Sequence, residues 1–152
     1  MRKVRSTPGM RLINRLISAR ARRSTTSLLG MNILILHTTG RRTGQPRQSP
    51  VAWFPDGDHQ WLIAASAAGA AANPDWYHNL KAHPTQIAIE LDNHGPLPVT
   101  ATELTGTDRE HAWQQIVTAA PRFANYQRKS TRTIPVLRLT LQRCARGESS
   151  LK

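Results

Sequence analysis

Hydrophobic residues between positions 31 and 141 fall into short stretches of strand length, separated by turn-forming residues. The aliphatic run "NILILHT" (32–38) is typical of a buried strand, because β-branched and aliphatic side chains pack well on a pleated surface. Later stretches alternate apolar and polar positions, which places one face of each strand in the core. The further predicted strands are "QSPVAWF" (48–54), "HQWLIAAS" (59–66), "TQIAIEL" (85–91), "LPVTATEL" (97–104) and "PVLRLTL" (135–141).

Three segments carry the signals of helices. Residues 9–22 place aliphatic side chains on one side at helical spacing and arginines on the other. Asn73 as the N-cap and Pro74 at the first helical position predict a short helix to about residue 82. Thr107 and Glu110 match a capping box that opens a helix to about residue 120. The stretch from 121 to 133 is predicted to be a polar loop.

The order of these elements predicts an α+β domain around an antiparallel sheet. The chain shows two strand pairs of hairpin type and no regular βαβ alternation, so a closed or split barrel is expected. We divide the chain into a basic tail with an amphipathic helix (1–28), a barrel domain (29–143) and a polar tail (144–152).

Charge changes this picture, because it is concentrated at the front of the chain. The formal net charge is +12, and 11 Lys or Arg residues precede the first acidic residue, Asp56. Such a field attracts anions: nucleic acid, anionic lipid or a small polyanionic ligand. Stacking aromatics are absent before Trp53, which makes nucleic acid an unlikely partner. The helix at 9–22 is expected either to pack on the body or to lie on an anionic membrane surface.

Several functional classes find no support in the sequence. The single cysteine, Cys144, excludes an internal disulfide and fits a reducing compartment. No apolar run reaches the roughly 18–20 residues that span a bilayer. The histidines show no metal-ligand spacing, so no metal site is expected, and no Gly-x-Ser-x-Gly nucleophile motif is present.

The stretch "LHTTGRRTGQPRQSP" (36–50) is the main candidate for chemistry. It follows a predicted strand and gathers hydroxyls, glycines and three arginines within a few residues. Arginine binds phosphate or carboxylate through a planar fork, and glycine lets the backbone approach a ligand closely. The residues alone leave two alternatives open: an anion-binding site, or a hairpin loop with solvated arginines.

Three motifs in order resemble the deazaflavin-dependent nitroreductase family of actinobacteria. They are "HTTGRRTGQPRQSPVAWF", "AASAAGAAANPDWYHNLKAHP" and "YQRKSTRTIPVLRL", and the similarity runs from about residue 31 to 141. The resemblance implies a split β-barrel related to the flavin-binding oxidoreductases. It also implies coenzyme F420, a deazaflavin that bears a phosphate and an oligoglutamate tail, and hydride transfer from its reduced form to a conjugated acceptor.

The resemblance further implies which residues form the site. Tyr126 and Ser66 match positions that contact or protonate the substrate in nitro-reducing relatives. The Gly-Arg-Arg-Thr-Gly turn would bind the phosphate and tail, two further segments would border the ring, and the short helix would close over it. The implied cofactor-binding residues are Arg41, Arg42, Thr43, Gly44, Gln48, Ser49, Pro50, Val51, Ala52, Trp53, Ala64, Ala65, Ser66, Ala67, Asp75, Trp76, Tyr77, His78 and Asn79.

Two departures from the family pattern bear on the acceptor. Ala67 stands where relatives often have lysine, and Phe123 aligns with a tyrosine of nitro-reducing relatives. The expected acceptor is a conjugated compound (a quinone, an enone or a nitro compound), and these departures favour a quinone or another conjugated acceptor over a nitro compound. The alternatives are a reductase of the same fold that binds FMN, and a non-catalytic module that binds deazaflavin or anionic lipid. We expect a cytoplasmic protein, either free or peripheral on the inner face of the plasma membrane, and a homodimer is compatible with the fold.

Overall fold

Seven antiparallel strands of the described residues form one sheet. The computed structural model describes residues 31–91 and 95–142, so the helix predicted at 9–22 and both predicted tails lie outside them. The sheet has the order β2-β1-β5-β6-β7-β4-β3. The strands are β1 (Ile33–Thr39), β2 (Pro46–Ala52), β3 (Phe54–Pro55), β4 (Gln60–Ala64), β5 (Ala88–Glu90), β6 (Leu97–Glu103) and β7 (Val136–Leu141).

The sheet curls because its two edge strands are neighbours in the chain. β2 and β3 lie at opposite ends of the strand order, yet only Trp53 separates them. The Trp53 N–H donates to the carbonyl oxygen of Asn32 at 3.0 Å, beside β1. A flat sheet could not bring edges this close, so the strands bend round until the edges approach. This is the predicted split barrel.

Alternation along the strands sends side chains into two separate hydrophobic cores. In β4, Ile63 points into the barrel and Leu62 points to the outer layer, and both are fully buried. The inner core lies inside the curled sheet and includes Leu34, Ile89 and Leu139. Each fully buried aliphatic side chain stabilises the fold by about 1.5–3 kcal/mol through removal of apolar surface from water.

Three helices of the described residues cover the sheet: α1 (Asp75–Ala82), α2 (Gly106–Ala119) and α3 (Arg122–Lys129). α1 packs Leu80 into the inner core. α2 and α3 lie on the outer face, where Trp113, Ile116 and Phe123 complete the outer core. No helix among residues 31–91 and 95–142 is long and apolar enough to cross a bilayer.

Both predicted helix caps are wrong. α1 begins at Asp75 with no side-chain cap, because the Asn73 side chain accepts a hydrogen bond from Arg132 instead. α2 begins before its predicted cap: the N–H of Arg109 donates to the carbonyl of Thr105 at 3.3 Å. The Glu110 carboxylate accepts from the Arg109 guanidinium at 3.0 Å, so a salt bridge replaces the predicted capping box.

The predicted polar loop at 121–133 is wrong over most of its length, since it contains α3. Phe123 and Tyr126 lie on one side of this helix, with their rings 5.3 Å apart edge to face. The Phe123 ring also meets Phe54 of β3 at 5.6 Å. These aromatic contacts with the barrel stabilise a segment whose remaining residues are mostly polar.

A hydrogen-bonded group fixes α1 to strand β6. The Tyr77 hydroxyl donates to Glu103 at 2.6 Å, and Lys81 donates to the other carboxylate oxygen at 3.0 Å. Burial, and then the neighbouring carboxylate, raise the pKa of Tyr77 to about 12. Burial alone would raise the pKa of Glu103, but the hydrogen bonds from Tyr77 and Lys81 and the Lys81 charge lower it overall.

The inner core predicts a position-dependent cost of truncating β7. Leu137→Ala should lower the free energy of unfolding by about 2–5 kcal/mol, because Leu137 is 1% exposed and its loss leaves a cavity. Leu141→Ala in the same strand is the matched control and should cost roughly 1 kcal/mol, since Leu141 is only half-buried. Urea unfolding monitored by tryptophan fluorescence measures both, and equal losses would contradict the assignment of the inner core.

The Tyr77–Glu103 contact predicts a pH-dependent contribution to stability. Tyr77→Phe should cost about 1 kcal/mol at pH 7, because a partly exposed hydrogen bond to a charged group is lost. Glu103 has a depressed pKa in the folded state, so its contribution is present above the ordinary value of about 4.3 and disappears as the pH falls through the lower folded value.

Urea unfolding of wild type and Tyr77→Phe at pH 7 and at acidic pH measures this difference. The gap between the two proteins should shrink as Glu103 becomes protonated. A gap that stays constant with pH would show that the lost hydrogen bond does not depend on the carboxylate.

Candidate functional site

The inner face of the β1–β2 hairpin changes from apolar to polar along its length. The residues that face each other across the strands are Leu34 and Val51, then Leu36 and Ser49, then Thr38 and Arg47. Alternate residues of a strand share a face, so these three pairs all lie on the side that fills the inner core. The turn end of the hairpin therefore extends beyond the filled barrel, and its inner face carries the Thr38 hydroxyl and the Arg47 guanidinium.

The turn between β1 and β2 is tight and held by its own backbone. The Gly40 N–H donates to the Gln45 carbonyl and the Gly44 N–H donates to the Gly40 carbonyl, both at 2.8 Å. A Cβ atom at Gly40 would lie 2.7 Å from the Thr43 hydroxyl oxygen, which leaves no room for a side chain. Gly44 has a φ of +67°, a conformation that glycine adopts without strain.

Arg41 joins this turn to α1. The Asn79 side-chain oxygen accepts hydrogen bonds from the Arg41 backbone N–H at 3.1 Å and from its guanidinium at 3.4 Å. The same guanidinium lies 3.5 Å from Asp75. Asn79 is 6% exposed, and its amide oxygen thus has partners within the protein. Arg41 and Asn79 consequently position the turn, whatever else they contact.

Arg42 and Arg47 form ion pairs with no carboxylate of the described residues. Both residues are exposed, and Arg47 makes one hydrogen bond, to the Thr43 hydroxyl at 3.3 Å. The Thr38 hydroxyl is buried behind them and has no partner among the described residues. Two guanidiniums without carboxylate partners among the described residues, and a buried hydroxyl without a hydrogen bond there, are groups that a polar, anionic ligand would satisfy.

A second part of the candidate site is the segment 66–73, which follows β4. After Ser66, a short 3-10 turn spans Ala67–Gly69, and its residues have φ values of +44°, +53° and +83°. This left-handed region costs a non-glycine residue about 1–2 kcal/mol, so Ala67 and Ala68 are strained. A Cβ atom at Gly69 would lie 2.9 Å from the Tyr126 carbonyl oxygen, which places the turn directly against α3.

Arg132, from the loop between α3 and β7, holds this segment in place. Its guanidinium donates to the carbonyls of Ser66 and Ala70, each at 3.0 Å, and to the Asn73 side chain at 2.6 Å. Burial lowers the pKa of Arg132. Nothing in the sequence pattern singled out Arg132, because its three acceptors lie about sixty residues earlier in the chain.

The structure thus gathers the predicted site residues around two linked groups. The β1–β2 turn is bound to α1, and the segment 66–73 is bound to α3, which carries Tyr126. Exposed or half-buried positions that a ligand could reach are Arg41, Arg42, Thr43, Gly44, Gln48, Ser49, Pro50, Ala52, Trp53, Ser66, Ala67, Asp75, Trp76, Tyr77, His78 and Tyr126.

Four of the predicted cofactor-binding residues lie mainly within the protein. Ala65 is 0% exposed, and Val51, Ala64 and Asn79 are nearly as buried. Tyr77 is half-buried, but its hydroxyl is directed to Glu103. These positions would shape the site through packing. No group of three or more potential metal ligands gathers within the described parts of the chain.

Comparison with known proteins assigns the chain to a family. The model of the F420H(2)-dependent quinone reductase family matches residues 10–140. An F420H(2)-dependent quinone reductase of Mycobacterium tuberculosis is 44% identical over 112 residues, which cover 70% of this chain and 72% of that protein. The mycobacterial relative is consistent with the actinobacterial character of the sequence motifs.

Solved structures agree with this assignment. A structure described as an F420-H2 dependent reductase has 37% identity and a TM-score of 0.62, covering 70% of this chain and 92% of the other. A structure described as a domain-swapped dimer has 32% identity and a TM-score of 0.64, covering 86% of this chain and 98% of the other. These similarities confirm the fold and the deazaflavin resemblance, and the family's dependence on F420 identifies the cofactor. The chain belongs to the F420H(2)-dependent quinone reductase family.

Proposed function

We propose that this protein transfers a hydride from reduced F420 to a quinone. The cofactor would bind at the turn end of the β1–β2 hairpin. The observation that carries the proposal is the pair Arg42 and Arg47, two exposed guanidiniums that have no carboxylate partner among the described residues and lie beside the polar end of the inner face. F420 bears a phosphate and an oligoglutamate tail, and arginine forks suit both groups.

The residues present fit such a cofactor. Arg42 and Arg47 would bind the anionic part, with the Thr43 hydroxyl already directed toward Arg47. The buried Thr38 hydroxyl lacks a partner among the described residues and would gain one from a polar edge of the ring system. Reduced F420, when bound, supplies two electrons as a hydride. The protein's contribution is to orient the reactants, exclude water and provide protons.

Tyr126 and Ser66 are our candidates for residues that touch the acceptor. Neither side-chain hydroxyl has a hydrogen-bond partner among the described residues, and both residues are half-buried. A phenol beside a quinone carbonyl can donate a hydrogen bond as negative charge grows on the oxygen, and then supply the proton. The contact between α3 and the turn Ala67–Gly69 supports a common site for the two residues.

Phe123 supports a quinone rather than a nitro compound as the acceptor. Its ring is 5% exposed and packs edge to face against Phe54 and Tyr126. The position therefore belongs to the outer core and offers no hydroxyl to a substrate. Ala67 likewise offers no charge, although it is exposed beside Ser66.

Two further parts of the proposal concern partners. An amphipathic helix at 9–22 would hold the protein at an anionic membrane, where lipid-soluble quinones are found. Co-sedimentation with anionic and neutral vesicles, compared between the full-length protein and a variant that lacks residues 1–28, tests the membrane proposal.

A homodimer is suggested by the domain-swapped structure similar to this chain, and light scattering tests it.

The central experiment is a titration with F420 and with FMN, followed by turnover. We expect quenching of F420 fluorescence at micromolar concentration, much weaker binding of FMN, and oxidation of reduced F420 when a soluble quinone is added without oxygen. Binding of FMN alone would replace the cofactor assignment. Binding of F420 without turnover would favour a module that stores deazaflavin.

Arg42→Ala should weaken F420 binding at least about tenfold, because a charge-assisted hydrogen bond contributes about 1.5–3 kcal/mol. The loss should be smaller at high salt, where the wild-type interaction is screened. Arg128→Ala is the matched control, since Arg128 is exposed and its side chain donates to Asn125 of the same helix. Unchanged F420 affinity in Arg42→Ala with a native circular dichroism spectrum would contradict the anchor role.

Tyr126→Phe should lower kcat for quinone reduction at least about tenfold, as expected for loss of a proton donor, and leave F420 affinity nearly unchanged. Arg128→Ala is again the control, because Arg128 is exposed on the same helix and contacts Asn125. Steady-state kinetics at saturating F420 measures both variants. Equal activity of Tyr126→Phe and wild type would remove Tyr126 from the chemistry.

A further inference from the structure

We propose that Arg132 is a positioning residue, which holds Ser66 and α3 as one unit and so sets the turnover rate without contacting cofactor or acceptor. This inference rests on the proposed function, in which Ser66 and Tyr126 act on the acceptor. It adds a residue from the loop between α3 and β7 to the machinery of the site.

The geometry of the Arg132 contacts uses the whole guanidinium fork. Nε donates to the Ala70 carbonyl at 3.0 Å, Nη1 to the Asn73 side chain at 2.6 Å and Nη2 to the Ser66 carbonyl at 3.0 Å. Three acceptors from one segment thus meet three nitrogens of one planar group. A lysine ammonium is a compact point charge and cannot reproduce this arrangement.

The backbone of Arg132 is hydrogen-bonded to a side chain of α3. Gln127 donates to the Arg132 carbonyl at 2.8 Å and accepts from the Ile134 N–H at 2.9 Å. The Arg132 N–H donates to the Ser130 hydroxyl at 3.3 Å. Gln127 follows Tyr126, the proposed proton donor, directly in the helix. The hydrogen bonds of Gln127 therefore connect the backbone of Arg132 to the part of α3 that carries Tyr126.

The segment that Arg132 holds needs such support. Ala67 and Ala68 have positive φ values, a conformation that persists only where surrounding contacts impose it. A Cβ atom at Gly69 would lie 2.9 Å from the Tyr126 carbonyl oxygen and 3.3 Å from the Lys129 side chain, so this end of the turn lies close to α3. Arg132 holds the other end through the Ser66 carbonyl. Without Arg132, we expect the turn to relax and Ser66 to lose its fixed position relative to α3.

All three Arg132 acceptors are uncharged, since two are backbone carbonyls and one is an amide oxygen. Arg132 forms no salt bridge with a carboxylate of the described residues, so charge pairing does not explain its location. The contacts of Arg132 instead fix the backbone path of the segment 66–73.

The test compares Arg132→Lys and Arg132→Gln with wild type in the full-length protein. We expect both variants to lower kcat at least about tenfold while the Kd for F420 changes less than about threefold, since the anionic part of the cofactor is bound elsewhere. Arg128→Gln, a change on the exposed side of α3, is the control and should retain wild-type kinetics.

A double-mutant cycle separates positioning from general loss of structure. In a Tyr126→Phe background, Arg132→Lys should lower kcat by less than about threefold, because the two residues act through one step. A merely structural role would lower kcat by the same factor in both backgrounds. Equal factors would overturn the proposal, as would full activity of Arg132→Lys, which would show that charge alone is needed.

Asn73→Ala keeps the test decisive if the Arg132 variants do not fold. It removes one of three bonds, leaves Arg132 in place and should lower kcat by about threefold with F420 binding unchanged. Wild-type kinetics in Asn73→Ala would overturn the proposal. A wild-type protein that reduces no quinone with reduced F420 would overturn the proposed function and this role together, whereas an active wild type with equally active variants would overturn the Arg132 role alone.

Discussion

The start of helix α1 is held from two sides by arginines, and the arrangement of the site depends on this constraint. Arg41, in the β1–β2 turn, contacts Asp75 and Asn79, while Arg132 contacts Asn73. The two arginines come from opposite parts of the chain. Through a few residues of one helix they connect the hairpin turn, the segment after β4 and helix α3. Displacement of α1 would therefore disturb both the hairpin turn and the segment after β4.

The arginines divide into two kinds according to their partners. Arg132 uses three guanidinium nitrogens on oxygens of the protein, and Arg41 binds the Asn79 side chain through its backbone N–H and one guanidinium nitrogen, so both arginines fix the backbone. Arg42 and Arg47 lack carboxylate partners within the described residues, which is why we propose them as ligand-binding residues. A substitution at Arg41 would therefore combine an effect on the turn with any effect on ligand binding, whereas Arg42 can be tested separately.

The strands were predictable from sequence because apolar alternation reports directly which face of a strand is buried. Helix α3 was missed because its Phe123 packs on distant Phe54 as well as on Tyr126, and local composition does not reveal the tertiary contact with Phe54. The helix caps failed for the same reason. Asn73 has the chemistry of a cap, but Arg132, far along the chain, competes for its side chain.

Sequence alone singled out the turn that we propose to bind the anionic part of the cofactor, but it did not single out the residue that supports the segment after β4. A glycine turn with arginines after a buried strand has a recognisable chemistry, and the resemblance to a deazaflavin family named the ligand. The third motif contains Arg132 but gives it no role, since one of several basic residues in a polar stretch resembles a solvated surface residue. Only the folded chain shows that its guanidinium meets three oxygens of a strained turn.

The inner face of the barrel supports the position that we propose for the cofactor. Small barrels are filled by their own side chains, and here Leu36, Ile63 and Leu137 occupy that space. A flat cofactor therefore has no room inside, and we expect its site where the apolar filling ends. On β1 and β2 that point is marked by Ser49, Thr38 and Arg47. The edge position of β2 leaves this surface open, while Pro46 and Pro50 reduce the risk that another strand pairs with it.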